Sequence, residues 1–280
     1  MSILNMKFFA LKLLLIYFLL VNICIAEASD EFEPDLTWPE KHKEVARKAF
    51  LYAQMSSNTY GQAGDTYNSD GLDFILPSGW KSEHFGNNEI GFAYSIYRKY
   101  EGDSLKEVVI AFRGTEGLTN FDDVLYGNIL AQQNPMAIEV FNKVKLEIYI
   151  LGMDIPIVLT GHSLGGGLAI HTAINVSGAV PYFVFNSSPR FSKLRHDQGG
   201  DSSLLLQRRH SIVETNEFLY AARFPSIEAD QLYTPFNCDK YFKPFSSHSI
   251  EKLATCLTMI ASLDNPMIKL RKEPKSKALN

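Results

Sequence analysis

Ile155-Pro156-Ile157-Val158-Leu159-Thr160-Gly161-His162-Ser163-Leu164-Gly165-Gly166-Gly167-Leu168-Ala169-Ile170-His171-Thr172-Ala173-Ile174 is the stretch on which the reading of this chain turns. Its first six residues form a short apolar run, the mark of a buried strand, and its last seven read as a helix. Between them, residues 161–165 fit Gly-x-Ser-x-Gly. That turn is so sharp that the residues flanking the serine must be nearly free of side chain. Strand, glycine turn and helix together lift a serine hydroxyl above the end of a sheet. The plain alternative is a glycine-rich turn with an incidental serine.

Strands are expected on both sides of it. Residues 92–97 alternate in character, and 108–112 form a continuous apolar run suited to a central strand. Residues 182–185 make another strand and 211–214 a shorter one, while 101–104 turn the chain. Helices are expected from Thr37-Trp38-Pro39 to about Ser57, near 135–151, and from about 249 to 262. Their apolar faces carry Ala46, Ala49, Phe50 and Ala53, then Ala137, Phe141, Val144 and Ile148. Residues 58–90, rich in Gly, Asn, Asp and Ser, read mostly as loop. The tail, with Lys269, Arg271, Lys272, Lys275 and Lys277, reads as a solvated end. Strands alternating with helices predict an α/β fold, a central, mostly parallel sheet flanked by helices on both faces.

With 280 residues, 46% apolar and 21% charged, the composition fits one globular domain, and a formal charge of −4 gives no ground for a nucleic-acid partner. The first residues differ from the rest. Lys7 precedes an apolar stretch from Phe8 to Ile25, broken by Lys12 and Asn22, and Ala26 and Ala28 then lead into Ser29-Asp30-Glu31. This is the pattern of a secretory signal peptide over residues 1–28, with a single domain over 29–280 and a basic C-terminal tail from about 269. Secreted or periplasmic location is the expectation. The rival is an uncleaved membrane anchor, since the stretch is just long enough to span a bilayer. Without Lys7, Lys12 and Glu27 the mature chain keeps 25 basic and 30 acidic residues. It also keeps Cys238 and Cys256. An even pair outside the cytoplasm forms a disulfide, or else Cys256 packs as a free thiol beside Leu253, Leu257 and Ile260.

A serine hydroxyl is a poor nucleophile until a base takes its proton, and the base needs an acid to orient it. Among the seven histidines, His42, His84 and His162 precede the serine, and His171 lies two turns along the helix that follows it. His196 and His210 fall in a polar, charged segment that reads as a surface excursion. His248, in Ser246-Ser247-His248-Ser249 just before the last helix, is the preferred base. The acid should follow the strand after 182–185. Glu214 ends that strand, and Glu217 in the loop beyond is favoured, with Asp230 and Asp239 as further candidates. Each of these carboxylates is otherwise a solvated surface charge. Donors for the negative oxygen of a tetrahedral intermediate are the N–H of Leu164 and, after strand 108–112, the N–H and hydroxyl of Thr115. The histidines and carboxylates show no metal-ligand spacing, so neither metal nor cofactor is implied.

Val109-Ile110-Ala111-Phe112-Arg113-Gly114-Thr115, Gly161-His162-Ser163-Leu164-Gly165-Gly166-Gly167 and Phe185-Asn186-Ser187-Ser188-Pro189-Arg190 together resemble the fungal-lipase-like (class 3 lipase) family, over about residues 45–260. The resemblance implies an α/β-hydrolase fold, with Ser163 as nucleophile, His248 as base, and Thr115 and Leu164 as oxyanion hole. The family's acid is usually Asp in an Asn-Asp pair. Asn216-Glu217 stands at the matching place and departs from it by one methylene. Leu118, Phe121, Leu125, Ile129 and Leu130 form either a lid over the site or ordinary packing. Asn-x-Ser sequons occur at Asn175 and Asn186, in the elbow helix and at a strand end. The expected activity is an exported serine hydrolase acting on carboxylic esters of lipids, triacylglycerol lipase-like, at a membrane or micelle surface. Phospholipase A1 and short-chain carboxylesterase are its variants, and a non-catalytic exported binding module is the alternative of another class. No obligate protein partner is evident.

Overall fold

Among the described residues a helix and four strands come first, and helices and strands then largely alternate. The structure, a computed structural model, describes residues 38–60, 72–86, 90–114, 128–188, 207–217, 219–223, 231–239 and 246–274. All lie in one compact unit, Pro34–Asn280. In chain order the elements are α1 (Glu40–Asn58), β1 (Leu72–Phe74), β2 (Trp80–Gly86), β3 (Ala93–Glu101), β4 (Ser104–Phe112), α2 (Asn128–Ile150), β5 (Ile157–His162), α3 (Leu164–Asn175), β6 (Tyr182–Phe185), β7 (Arg209–Glu214), α4 (Tyr220–Arg223) and β8 (Leu232–Phe236). A 3₁₀ turn (Ser246–His248), α5 (Ile250–Ser262) and β9 (Lys272–Pro274) complete them.

β2 to β8 form one sheet in the order of the sequence. β2, β3 and β4 pair antiparallel, and β4 to β8 run parallel. The alternation of side chains along a strand distributes the two helical layers. Val108, Ile110, Phe112, Leu159, Tyr182 and Val184 share one buried cluster with Phe141 and Val144 of α2 and Leu168 and Ile170 of α3. On the other face, the Thr160 hydroxyl meets that of Ser56 at 2.8 Å, and Tyr52 stacks on Phe183 with ring centroids 4.4 Å apart. α1 therefore covers that face, with α5 packed along it. Full burial of a side chain such as Leu168 or Ile170 is worth about 1.5–3 kcal/mol, which holds α3 against the middle of the sheet.

Several expectations are corrected. The span 58–90 was to be mostly loop, yet β1 and the edge strand β2 lie within it. α2 begins at Asn128, seven residues before the expected start at 135, and keeps Pro135 inside it. Pro39 stands at the N-cap of α1, without a side-chain cap bond, and Thr37 lies outside the described residues. β8 was not foreseen. The basic tail is not simply solvated: β9 pairs with β1, and the Lys272 ammonium bonds Glu251. His210 is no surface residue either, for it is 2% exposed within β7 and stacks on Phe183. The sequon at Asn186 is sealed in the interior at 0% exposure. The leader 1–28, the sites of Lys275 and Lys277, and Leu118, Phe121 and Leu125 lie outside the described residues, as do the side chains of Ile129 and Leu130.

Two close constraints fix the end of the sheet where β4, β5, β7 and β8 stop. A Cβ on Gly165 would fall 2.1 Å from the Phe112 carbonyl oxygen, and one on Gly161 would fall 2.4 Å from that of Gly165. α3 thus presses its first turn, backbone on backbone, onto the end of β4. Beside it, Cys238 after β8 is bridged to Cys256 in α5, closing a loop of sequence separation 18 around residues 246–249.

Gly165→Ala is expected to push α3 off β4 and to lower stability by about 1–3 kcal/mol, the usual cost of overpacking, read from urea unfolding midpoints. Replacing both Cys238 and Cys256 with Ser frees a loop whose closure is worth about 3 kcal/mol. The unfolding midpoint of that variant should drop accordingly and should no longer respond to a reducing agent.

Candidate active site

Ser163 occupies the turn between β5 and α3 with φ 55° and ψ −123°. An L-residue reaches this region only at a cost of about 1–3 kcal/mol, so the surroundings must hold it there. They do so through the main chain. Ser163 N–H donates to the Phe185 carbonyl at 3.0 Å, and the Ser163 carbonyl accepts from Ser188 N–H at 2.8 Å and Gly167 N–H at 3.2 Å. The serine is 7% exposed. Leu164 is the first residue of α3, and an N–H in a helix's first turn has no acceptor within the helix.

The ends of the later parallel strands bring the remaining groups to this place. β7 ends at Glu214, and three residues later Glu217 turns inward with its side chain fully buried. Its Oε2 accepts from Leu219 N–H at 3.0 Å and lies 2.8 Å from His248 Nδ1. Its Oε1 takes a hydrogen bond from Arg223 Nη1, and Arg223 Nε donates to the Ser187 carbonyl. The four-residue helix α4 curls Arg223 back over the loop, which is why residues six apart meet.

His248 ends the 3₁₀ turn. Ser247 Oγ donates to Asp239 Oδ2 at 2.8 Å on one side of it, and Ser249 caps α5 on the other, accepting from Lys252 N–H. The His248 side chain is 15% exposed, and its ring centroid is 4.6 Å from that of His162, next to the serine. The His248 carbonyl accepts from His162 Nε2 at 2.7 Å.

Burial works to raise the Glu217 carboxyl, but the bond to His248 and the positive Arg223 outweigh it and hold the group below its ordinary 4.5. Glu217 is therefore an anion at neutral pH. Burial lowers the His248 imidazole below its ordinary 6.5, although Glu217 pulls the other way, so the ring is neutral and its Nδ1–H donates to Glu217. That leaves Nε2 as the basic nitrogen.

Of the residues singled out from the sequence, Ser163, Leu164, Glu217 and His248 gather at this end of the sheet. Asp239 bonds Ser247 rather than the imidazole. Glu214, sealed at the strand end, accepts from Cys238 N–H at 2.8 Å, and burial pushes its carboxyl up to about 7. Thr115, Asp230 and His196 lie outside the described residues. Reasoning from sequence missed Tyr60 and Arg223, and passed over His162 because it precedes the serine. Arg223 ends the short helix α4, and its burial comes from partners that its local sequence does not announce.

The Tle-like phospholipase domain model of the phospholipase-like family matches residues 76–190, which hold five of the seven strands of the main sheet and the whole elbow. Among solved structures, the chain is similar to the lipase of Rhizopus microsporus var. chinensis (16% identity, 70% of this chain and 78% of that one, TM-score 0.43). It is also similar to the Rhizomucor miehei lipase in its propeptide complex (15%, 70% and 72%, 0.36) and to a mutant form of MDLA from Penicillium cyclopium (15%, 68% and 77%, 0.41). No curated protein matches it. The chain thus has a mostly parallel sheet flanked by helices, and residues 76–190, which carry the elbow, are similar to a phospholipase-like domain.

Proposed function

We propose that the chain is an exported serine hydrolase that cleaves carboxylic esters of lipids through Ser163, His248 and Glu217. The observation that carries this reading is the buried carboxylate of Glu217, 2.8 Å from Nδ1 of a neutral His248 whose ring lies beside the residue preceding Ser163. His248 Nε2 takes the proton of Ser163 Oγ as that oxygen attacks the ester carbonyl carbon. The imidazolium so formed is stabilised by Glu217, and the N–H groups of Leu164 and Thr115 receive the oxyanion. The proton then passes to the leaving alcohol, and water hydrolyses the acyl-enzyme by the same route. The apolar leader and the Cys238–Cys256 bridge support export, since disulfides persist in oxidising compartments. The match over residues 76–190 to a phospholipase-like domain favours phospholipids as a second substrate reading alongside triacylglycerols. The chemistry is the same in both, and a panel of triacylglycerols and phospholipids separates them.

Ser163→Ala should lower kcat on a soluble ester by on the order of 10⁶, with the fold retained by circular dichroism. Unchanged turnover would sink the reading. His248 acts as a base only when neutral, so kcat/KM should fall as pH drops through its pKa, which lies below 6.5. Arg223 helps to keep both the His248 and the Glu217 pKa low. Arg223→Gln should therefore move the acid limb of the pH–rate profile to higher pH. A limb that stays in place, or moves to lower pH, counts against this electrostatic role.

A further inference from the structure

The residue before the nucleophile makes a set of bonds that the hydrolytic steps above do not use. His162 Nε2 faces the His248 carbonyl oxygen at 2.7 Å, and a carbonyl can only accept, so Nε2 carries the proton. A neutral ring then has Nδ1 as its acceptor. Tyr60 Oη lies 2.9 Å from Nδ1 and donates to it. The same phenol oxygen accepts the Gly114 N–H at 3.0 Å. The direction of the whole chain is therefore fixed, from Gly114 N–H to Tyr60, from Tyr60 O–H to His162, and from His162 Nε2–H to the backbone of His248. Burial first, and then the neighbouring His248, hold the His162 pKa well below its ordinary 6.5, so the ring stays neutral wherever the base at 248 works.

This series of bonds joins three separate parts of the machinery. Gly114 immediately precedes Thr115, the proposed second oxyanion donor. A Cβ on Gly114 would fall 2.3 Å from Tyr60 Oη, 2.8 Å from the His162 carbonyl oxygen and 3.2 Å from Ser163 Cβ, so the phenol is packed into the space that this glycine leaves beside the nucleophile. His162 itself is the last residue of β5, rigidly paired with Phe185 in β6. His248 lies 86 residues further along the chain.

We propose that His162 is a positioning residue for the reaction. Through Tyr60 it sets the height of the Gly114 amide beside Ser163. Through its own Nε2–H it holds the backbone of His248 in register with Ser163. This rests on the ester-hydrolase reading, and neither His162 nor Tyr60 need touch the reacting atoms. A displacement of about 1 Å at an oxyanion donor or base is enough to cost about 10²-fold in rate.

The test uses Tyr60→Phe, His162→Gln and the pair combined in the full chain, with Ser163→Ala as the control. Loss of activity in Ser163→Ala establishes the parent reading independently. Tyr60→Phe keeps the ring and removes only the hydroxyl. His162→Gln keeps an amide donor for the His248 carbonyl and breaks the link to Tyr60. Each single variant should lose roughly 10- to 100-fold in kcat on a soluble ester, with KM within about twofold and an unchanged melting temperature. The rate of phosphonylation by a fluorophosphonate, whose P=O oxygen occupies the oxyanion position, should fall in parallel. The double variant should lose no more than the larger single loss, because both substitutions cut the same linkage. Wild-type kcat in Tyr60→Phe, a rise in KM alone, or two losses that multiply in full would overturn the proposal. If His162→Gln does not fold, the kcat-against-KM split in Tyr60→Phe decides by itself.

Discussion

The carbonyl oxygen of Phe112 occupies the space in which a side chain on residue 165 would begin, and most of the site's geometry follows from that contact. Two glycines let α3 start directly above the end of β4. The serine between them is then driven to φ 55°, a conformation paid for by the long apolar face of α3 buried against the sheet. Helix packing and serine strain are thus two aspects of one arrangement. The strain persists because the Phe185 carbonyl and the Ser188 amide hold both sides of the serine peptide.

Charge is handled differently. Glu217 is a fully buried carboxylate, and such a group is tolerable only when its oxygens are bonded. One oxygen serves His248 and the Leu219 amide, and the other serves Arg223. The guanidinium does more than neutralise, for it disfavours a second positive charge nearby and so helps to keep both histidines uncharged at rest. The extra methylene of Glu relative to Asp gives the carboxylate reach toward both partners. The length of the Glu217 side chain and the presence of Arg223 are consistent with one another on this basis.

The parts of the fold that the sequence revealed are those in the middle of the sheet. Residues 108–112 and 182–185 are buried on both faces, so every position is apolar and the strand stands out. β2 and β8 are the two edges. β2 is half solvated, with Lys81 and Glu83 among its residues, and β8 contains Pro235, which only an edge strand tolerates readily. Both were unreadable for that reason. His210 was misread because burial was inferred from polarity. Its neighbour Arg209 satisfies its guanidinium on the carbonyls of Val180 and Ala173, and the imidazole stacks on Phe183. At the site, the serine turn and His248 were legible from local pattern and order along the chain. Tyr60 and Arg223 were not, since their roles come from contacts 102 and 36 residues away, to His162 and Ser187.

The bridge between Cys238 and Cys256 encloses the turn that carries His248. Without that bridge, the turn would still be held by the Asp239–Ser247 bond, the Ser249 cap and the contacts of His248 with Glu217 and His162. Such a molecule would keep its sheet and its strained serine, yet its imidazole would wander more widely. The bridge thus tightens the one corner of the framework that carries the imidazole.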